Sequence, residues 1–176
     1  MKLLCFGDSN TYGYDPRSFL GDRYSSNVRW VDRLSRHTGW EIYNGGQNGR
    51  MIPARINQLS PADQCIVMLG TNDLLQGFTA SEIKKRMELF LTSILSQFDK
   101  ILLIAPPPLK RGEWVPNDSL IKESVLLASC YKELAAQLNI DFADAGLWNV
   151  DLTFDGVHFS EKGHQAFYEG LLSALQ

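Results

Sequence analysis

The stretch Leu3-Leu4-Cys5-Phe6-Gly7-Asp8-Ser9-Asn10 begins with four apolar residues and stops at a glycine directly before Asp8 and Ser9. A short apolar run that is bounded in this way is typical of a buried strand. In open α/β sheets, ligands bind at the carboxyl ends of the strands, so this strand would deliver the Ser9 hydroxyl to that edge. Gly-Asp-Ser is also typical of a simple turn. The remaining sequence must therefore decide between a nucleophile and a turn.

Strand-like and helix-like segments alternate along the rest of the chain. Further strands are predicted at residues 41–44, 64–69, 101–105 and 141–143. Helices are predicted from Asn27 as N-cap to Gly39, from Thr79 with a capping box to Glu82, over 119–138, and after Ser160 as N-cap. This alternation predicts an α/β fold with a doubly wound, five-stranded, mainly parallel sheet of order 2-1-3-4-5.

Length and charge limit the possible functions. The chain has 176 residues, 44% of them hydrophobic and 21% charged, which predicts one domain over residues 1–176. A formal net charge of -3 gives no electrostatic reason to bind nucleic acid or an anionic membrane, so a small-molecule substrate is favoured. Because no basic region followed by a long apolar stretch opens the sequence, a cytoplasmic location is expected.

The cysteines and glycines indicate neither a metal nor a cofactor. Cys5, Cys65 and Cys130 lie in apolar segments and are expected to be reduced, buried thiols. None of them has CxxC spacing, so no metal site is expected. The chain has neither a G-x-G-x-x-G nor a Walker pattern in its glycine-rich segment, so no dinucleotide or triphosphate is expected.

Polar residues follow other predicted elements at the same edge of the sheet. Gly70-Thr71-Asn72-Asp73 comes directly after the third strand. Asp155 precedes His158 by three residues, so in a tight turn it can accept a hydrogen bond from Nδ1-H and leave Nε2 free as a general base. Together with Ser9, these residues supply a nucleophile, a base and an orienting carboxylate.

An oxyanion site is also available. The segment Gly45-Gly46-Gln47-Asn48-Gly49-Arg50 has three glycines, which indicate either a flexible turn or a close approach of backbone N–H groups to a ligand. The N–H of Ser9, one N–H from this segment and the amide of Asn72 can together face a developing oxyanion. The residues alone leave open which of the three glycines donates.

Two long loops, at 11–27 and 109–118, carry aromatic side chains that either wall a pocket or pin the loop to the core. The candidates for substrate-binding walls are Tyr12, Tyr14 and Trp114. The same two roles are open for Phe19 and Tyr24. His37 and His164 are interpreted as solvated residues on helices.

The blocks Gly7-Asp8-Ser9, Gly70-Thr71-Asn72-Asp73 and Asp155-Gly156-Val157-His158 resemble, in order and spacing, the motifs of the SGNH (GDSL-type) hydrolases. The resemblance extends over nearly the whole chain. It implies a flavodoxin-like three-layer α/β/α sandwich, ester hydrolysis through an acyl-enzyme, and an oxyanion hole of serine, glycine and asparagine. Gly49, five residues after Asn44, best resembles the glycine of the family's second block.

Asn10 stands where the motif that names the family has leucine. Thr11 replaces the second glycine of the G-x-S-x-G elbow, which separates the chain from the α/β-hydrolases. Within the family, the Val28-Arg29-Trp30, Asn48-Gly49-Arg50 and Pro106-Pro107-Pro108 segments resemble intracellular arylesterase and acyltransferase-type members. This resemblance implies small acyl esters, such as acetates of aryl alcohols or sugars, as substrates.

The sequence therefore predicts a serine esterase in which Ser9 is the nucleophile, His158 the base and Asp155 the residue that orients it. A carbohydrate O-deacetylase, a thioesterase or a lysophospholipase remains an alternative in the same family. A non-catalytic binding module that keeps the fold is a more remote alternative. The expected partner is a small-molecule ester, and the sequence leaves open whether the chain forms a homo-oligomer.

Overall fold

The computed structural model describes residues 1–18, 20 and 22–175, so Phe19 lies outside the described residues. A five-stranded sheet forms the centre of the fold, with every neighbouring pair parallel and the order β2-β1-β3-β4-β5. The strands are β1 (Lys2–Gly7), β2 (Glu41–Gly46), β3 (Gln64–Met68), β4 (Lys100–Ala105) and β5 (Asp141–Asp144). The predicted doubly wound α/β sheet and its strand order are confirmed.

Six α-helices accompany the sheet in the described part of the chain. They are α1 (Ser9–Tyr12), α2 (Trp30–Thr38), α3 (Thr71–Leu75), α4 (Ala80–Ile94), α5 (Asp118–Leu138) and α6 (Glu161–Ala174). Short 3-10 turns follow α4 and β5, at Leu95–Gln97 and Ala145–Leu147. None of these helices combines the length and apolar character that crossing a bilayer requires.

The two faces of the sheet are covered by different helices, because side chains alternate along each strand. Leu4 and Phe6 of β1 point into a core formed with α4 and α5. Leu3 and Cys5 point into the opposite core, formed with α2 and α6. Both faces are therefore buried, which explains why β1, β3 and β4 read as continuous apolar runs rather than alternating ones.

The helix termini test the predicted capping residues. Thr79 and Glu82 form the predicted capping box, and Ser160 caps α6 through a side-chain bond from the N–H of Gly163. The prediction of Asn27 as an N-cap is wrong, because α2 begins at Trp30. Asn27 instead accepts a hydrogen bond from the Ser25 hydroxyl in the preceding turn.

Several predicted boundaries also differ from the structure. Gly45 and Gly46 belong to β2 rather than to a turn, because β2 continues beside the end of β1 and passes under α1. A Cβ on Gly46 would lie 2.1 Å from the backbone N of Tyr12, so only glycine fits there. The helices α1 and α3 were not predicted, since four or five residues are too few to show a helical period. Cys130 is only half-buried, unlike Cys5 and Cys65.

The interpretation of His164 as a solvated residue is wrong. Its side chain is fully buried, with a relative exposure of 0%. It packs edge-on against the rings of Tyr24 and Phe159, and neither ring nitrogen has a hydrogen-bond partner among the residues that the structure describes. Burial lowers the pKa of His164 to about 3, and the positive charges of Arg33 and Arg29 contribute.

We expect His164 to make the protein less stable as the pH falls. An unfolded histidine gains a proton near its ordinary pKa, whereas the buried ring stays neutral until a much lower pH. The stabilisation is therefore complete above the unfolded pKa and is lost as the pH falls below it. Between pH 7 and pH 5, the free energy of unfolding should fall by about 2 kcal/mol more in the wild type than in His164→Gln.

Denaturant unfolding at the two pH values measures this effect. His37→Gln is the control for the loss of one histidine, because His37 is exposed on α2. If the free energy of unfolding fell by the same amount in the His164 variant and in the wild type, the claim that the buried ring stays neutral would be wrong.

Candidate active site

Ser9 is the first residue of α1 and follows β1 after a single intervening residue. Asp8 is the N-cap, and its side chain accepts a hydrogen bond of 3.0 Å from the N–H of Asn10. The turn is tight, since a Cβ on Gly7 would lie 2.1 Å from the Thr11 hydroxyl. Because Ser9 opens the helix, its N–H has no partner within α1.

One continuous chain of hydrogen bonds joins Ser9, His158 and Asp155. The Ser9 Oγ lies 3.0 Å from the His158 Nε2, and the His158 Nδ1 lies 2.6 Å from the Asp155 Oδ2. An ionised carboxylate can only accept, so Nδ1 carries the proton and Nε2 accepts from the serine hydroxyl. The three side chains are 5%, 3% and 1% exposed, respectively.

Asp155 is held as an anion by the turn that contains it. Its Oδ1 accepts hydrogen bonds from the N–H groups of Val157 and His158 and from the Thr153 hydroxyl, at 2.8, 2.9 and 2.9 Å. Burial raises the pKa of Asp155, but the bonds from His158 and Val157 outweigh it and lower the pKa to about 2. Asp155 is therefore ionised at neutral pH.

The turn also depends on Gly156, which has a φ of +81°. A Cβ at this position would lie 2.1 Å from the carbonyl oxygen of Lys110. The glycine thus lets the turn pack against the backbone of the loop that carries Trp114. The N–H of Trp114 donates to the carbonyl of Asp155 at 3.1 Å, which fixes this loop beside the histidine.

A cavity of about 250 Å³ opens over these side chains. It is lined by Ser9, Tyr14, Asn48, Gly49, Asn72, Trp114 and His158. The rings of Tyr14 and Trp114 stand edge-on to the His158 ring, with centroid distances of 4.7 and 5.1 Å. The indole of Trp114 remains 49% exposed at the entrance.

The structure does not bring Tyr12 into this cavity. Its ring instead packs beneath the guanidinium of Arg23, at 4.3 Å from the ring centroid, and Arg23 also donates to the Tyr12 carbonyl at 2.7 Å. Tyr12 and Tyr14 differ in this way because they lie on opposite sides of Gly13, whose φ of +89° ends α1. The spacing of the tyrosines alone could not separate them.

Of the three glycines in the glycine-rich segment, Gly49 lines the cavity. It has a φ of +72°, and a Cβ there would meet no atom within 4 Å, so its position borders open space. Gly45 and Gly46 instead pack against the backbone of β1 and α1. Asn48 also lines the cavity, although it was not predicted as a site residue. Its only sequence signal was its place between the glycines.

Arg50 holds the glycine-rich segment to the sheet. Its guanidinium donates to the carbonyls of Gly7 and Gly45 and stacks on the ring of Phe6, 4.2 Å from the ring centroid. Its own carbonyl accepts a 3.0 Å hydrogen bond from the Asn72 Nδ2, which orients that amide. Arg50 stands in one of the motif segments, but its sequence carries no signal of this role.

The neighbour of Asn72 lies outside the cavity. Asp73 is buried and accepts from the N–H of Ile52 at 3.0 Å and from the Arg86 Nε at 2.9 Å. It thus anchors the chain that follows the glycine-rich segment. Within the described residues, no group of three or more His, Cys, Asp or Glu side chains is placed to hold a metal ion.

Comparisons with known proteins agree with this architecture. The model of the GDSL-like lipase/acylhydrolase family matches residues 5–166. A comparison with curated proteins found no match.

Three examples from the similar solved structures match along nearly their whole length. The aryl esterase of M. smegmatis is 28% identical, with 99% of this chain and 97% of that one covered and a TM-score of 0.79. Est24, a carbohydrate acetylesterase from Sinorhizobium meliloti, is 25% identical, with 99% of both chains covered and a TM-score of 0.81. A carbohydrate acetylesterase family member from the same organism is 26% identical, with 99% and 96% covered and a TM-score of 0.81.

The family match spans far more than half of the chain, and the similar esterase structures cover 99% of it with TM-scores of 0.79 to 0.81. The chain therefore belongs to the GDSL-like lipase/acylhydrolase (SGNH hydrolase) family and is a carboxylic ester hydrolase.

Proposed function

We propose that the protein hydrolyses small acyl esters through an acyl-enzyme on Ser9. The observation that carries this proposal is the unbroken hydrogen-bonded chain from the Ser9 Oγ through the His158 ring to the Asp155 carboxylate. It lies at the base of a cavity open to a ligand. A nucleophile, a base and a group that orients the base are the parts that acyl transfer requires.

In the first step, the Ser9 Oγ attacks the ester carbonyl carbon while its proton moves to the His158 Nε2. The ionised Asp155 accepts from Nδ1-H and stabilises the imidazolium that forms. The tetrahedral intermediate then breaks its bond to the alcohol oxygen, which takes the proton from Nε2. In the second step, water attacks the acyl-enzyme with His158 again as base, and the acid leaves as Ser9 regains its proton.

The negative charge on the tetrahedral intermediate needs donors that are already in place. We assign this role to the N–H of Ser9, the N–H of Gly49 and the Nδ2 of Asn72. Two features support the assignment: Ser9 opens a helix, and Gly49 and Asn72 line the same cavity. The hydrogen bond from Asn72 to Arg50 holds the amide in one orientation, so little reorganisation is needed during the reaction.

The size of the cavity favours a substrate with a short acyl group. At about 250 Å³, it lies below the range of roughly 300–1,000 Å³ that is typical of sites for drug-sized ligands. Its lining side chains include no carboxylate, ammonium or guanidinium group. Both features favour a small, neutral ester over the long-chain thioester or lysophospholipid alternatives.

A carbohydrate acetyl ester is the second candidate substrate. The similarity to two carbohydrate acetylesterases from Sinorhizobium meliloti favours it, whereas the M. smegmatis aryl esterase favours an aryl ester. The half-exposed indole of Trp114 offers a flat apolar surface to an aryl ring or to a sugar ring. The two substrates thus differ in the alcohol and share the acetyl group.

Replacing Ser9 by alanine tests the proposed nucleophile. Ser9→Ala should lower kcat/KM for 4-nitrophenyl acetate by about 10³-fold or more, since no side chain remains to form the acyl-enzyme. Ser129→Ala is the matched control, because Ser129 is exposed on α5 and bonds only within its helix. Circular dichroism should show the same fold for both variants. Retention of most activity by the Ser9 variant would overturn the assignment.

A series of acyl chain lengths tests the proposed substrate class. The value of kcat/KM should fall by about tenfold or more from 4-nitrophenyl acetate to the octanoate, because the longer chain exceeds the cavity. Trp114→Ala should raise KM for the acetate, with Leu89→Ala on the exposed face of α4 as the control. A higher kcat/KM for the octanoate would favour a lipase or thioesterase instead.

A further inference from the structure

Asn10 directly follows the proposed nucleophile, at the position where the motif that names the family has leucine. Its side chain is 4% exposed and lies between the Ser9 turn and the His158 turn. The Asn10 Oδ1 accepts a 2.9 Å hydrogen bond from the N–H of Phe159, and the Asn10 Nδ2 donates to the carbonyl of Val157 at 3.1 Å. The two partners are the residues on either side of His158.

The carboxamide is held in one orientation. A backbone N–H can only donate and a carbonyl can only accept, so exchange of its oxygen and nitrogen would lose both bonds. The backbone of Asn10 is fixed as well: its N–H donates to the Asp8 carboxylate at 3.0 Å, and its carbonyl accepts from the Trp30 Nε1 at 3.0 Å. Asn10 is therefore a rigid support whose position is set by β1 and α2.

The other bonds of the histidine turn do not reach the nucleophile. The carbonyls of Asp155 and Gly156 accept from the loop at 110–115, and the carbonyl of His158 accepts from Thr153. Between the described segments 8–14 and 153–160, the two bonds of Asn10 and the Ser9–His158 bond are the only hydrogen bonds. The two segments are 149 positions apart in the chain at this contact.

We propose that Asn10 is a positioning residue that sets the distance and angle between the Ser9 Oγ and the His158 Nε2. This inference rests on the proposed acyl-transfer function. Proton transfer in both steps depends on that geometry, and a displacement of about 1 Å can cost about 10²-fold in rate. A leucine at this position would leave the buried N–H of Phe159 and carbonyl of Val157 unpaired.

Two variants separate positioning from simple stability. Asn10→Leu removes both bonds, whereas Asn10→Asp keeps an acceptor for Phe159 but places an oxygen against the carbonyl of Val157. Thr11→Val is the matched control, since Thr11 is buried in the same short helix and its hydroxyl has no hydrogen-bond partner in the described part of the chain. All variants are assayed below their own thermal midpoints, so that each sample is folded.

The readout is the rate per active site, measured by rapid mixing with 4-nitrophenyl acetate. The amplitude of the burst counts competent sites, and the two phases report acylation and deacylation. For Asn10→Leu, both rate constants should fall by about 10- to 100-fold while KM changes little, because His158 serves both steps. Asn10→Asp should lie between this variant and the wild type, and Thr11→Val should match the wild type.

Each outcome bears on a different claim. If the Asn10 variants lose burst amplitude but keep wild-type rate constants per site, Asn10 only stabilises the fold and the positioning role is wrong. The same conclusion follows if one Asn10 variant fails to fold and the other shows wild-type rate constants. A wild-type enzyme that forms no acyl intermediate at all contradicts the proposed function itself.

Discussion

The contact between the Ser9 Oγ and the His158 Nε2 is the interaction on which the site depends. It joins two turns 149 positions apart, and most of the surrounding structure serves to bring them within 3.0 Å. The parallel sheet places the end of β1 at its carboxyl edge, between β2 and β3, and α1 starts there with Ser9. The second turn reaches the same edge because it packs against the loop of Trp114 and is bonded to Asn10. The sheet and the loop contacts together set the distance between the Ser9 Oγ and the His158 Nε2.

The pKa values of two buried carboxyl groups at this edge are shifted in opposite directions. Asp155 receives three hydrogen bonds on one oxygen and the histidine on the other, so its pKa falls to about 2 despite burial. Burial raises the pKa of Asp8 to about 6, and the bond from Asn10 offsets only part of this effect. Asp8 is the more deeply buried of the two and has fewer donors, and both differences raise its pKa relative to that of Asp155. It supports Asp155 as the permanent anion beside His158 and Asp8 as the cap of α1.

The features that could be predicted from the sequence are those with a local or periodic signal. Apolar runs ending in glycine located β1 and β3, and the spacing of Thr79 and Glu82 located the start of α4. The motif blocks identified side chains that the structure brings together. Residues that act through distant contacts had no such signal: Asn10 bonds to a turn 147 and 149 positions away, and Arg50 bonds to the end of β1. The prediction that His164 is solvated was wrong for a similar reason, since its burial depends on aromatic rings from two other segments.

The most direct test of the account is to trap the covalent intermediate. The wild-type enzyme is mixed with an aryl acetate, quenched with acid during the burst, digested and analysed by peptide mass spectrometry. We predict one acetyl group on Ser9, formed at the burst rate and lost at the rate of steady-state turnover. An unmodified Ser9 throughout turnover, or an acetyl group that forms on another residue at the burst rate, would contradict it.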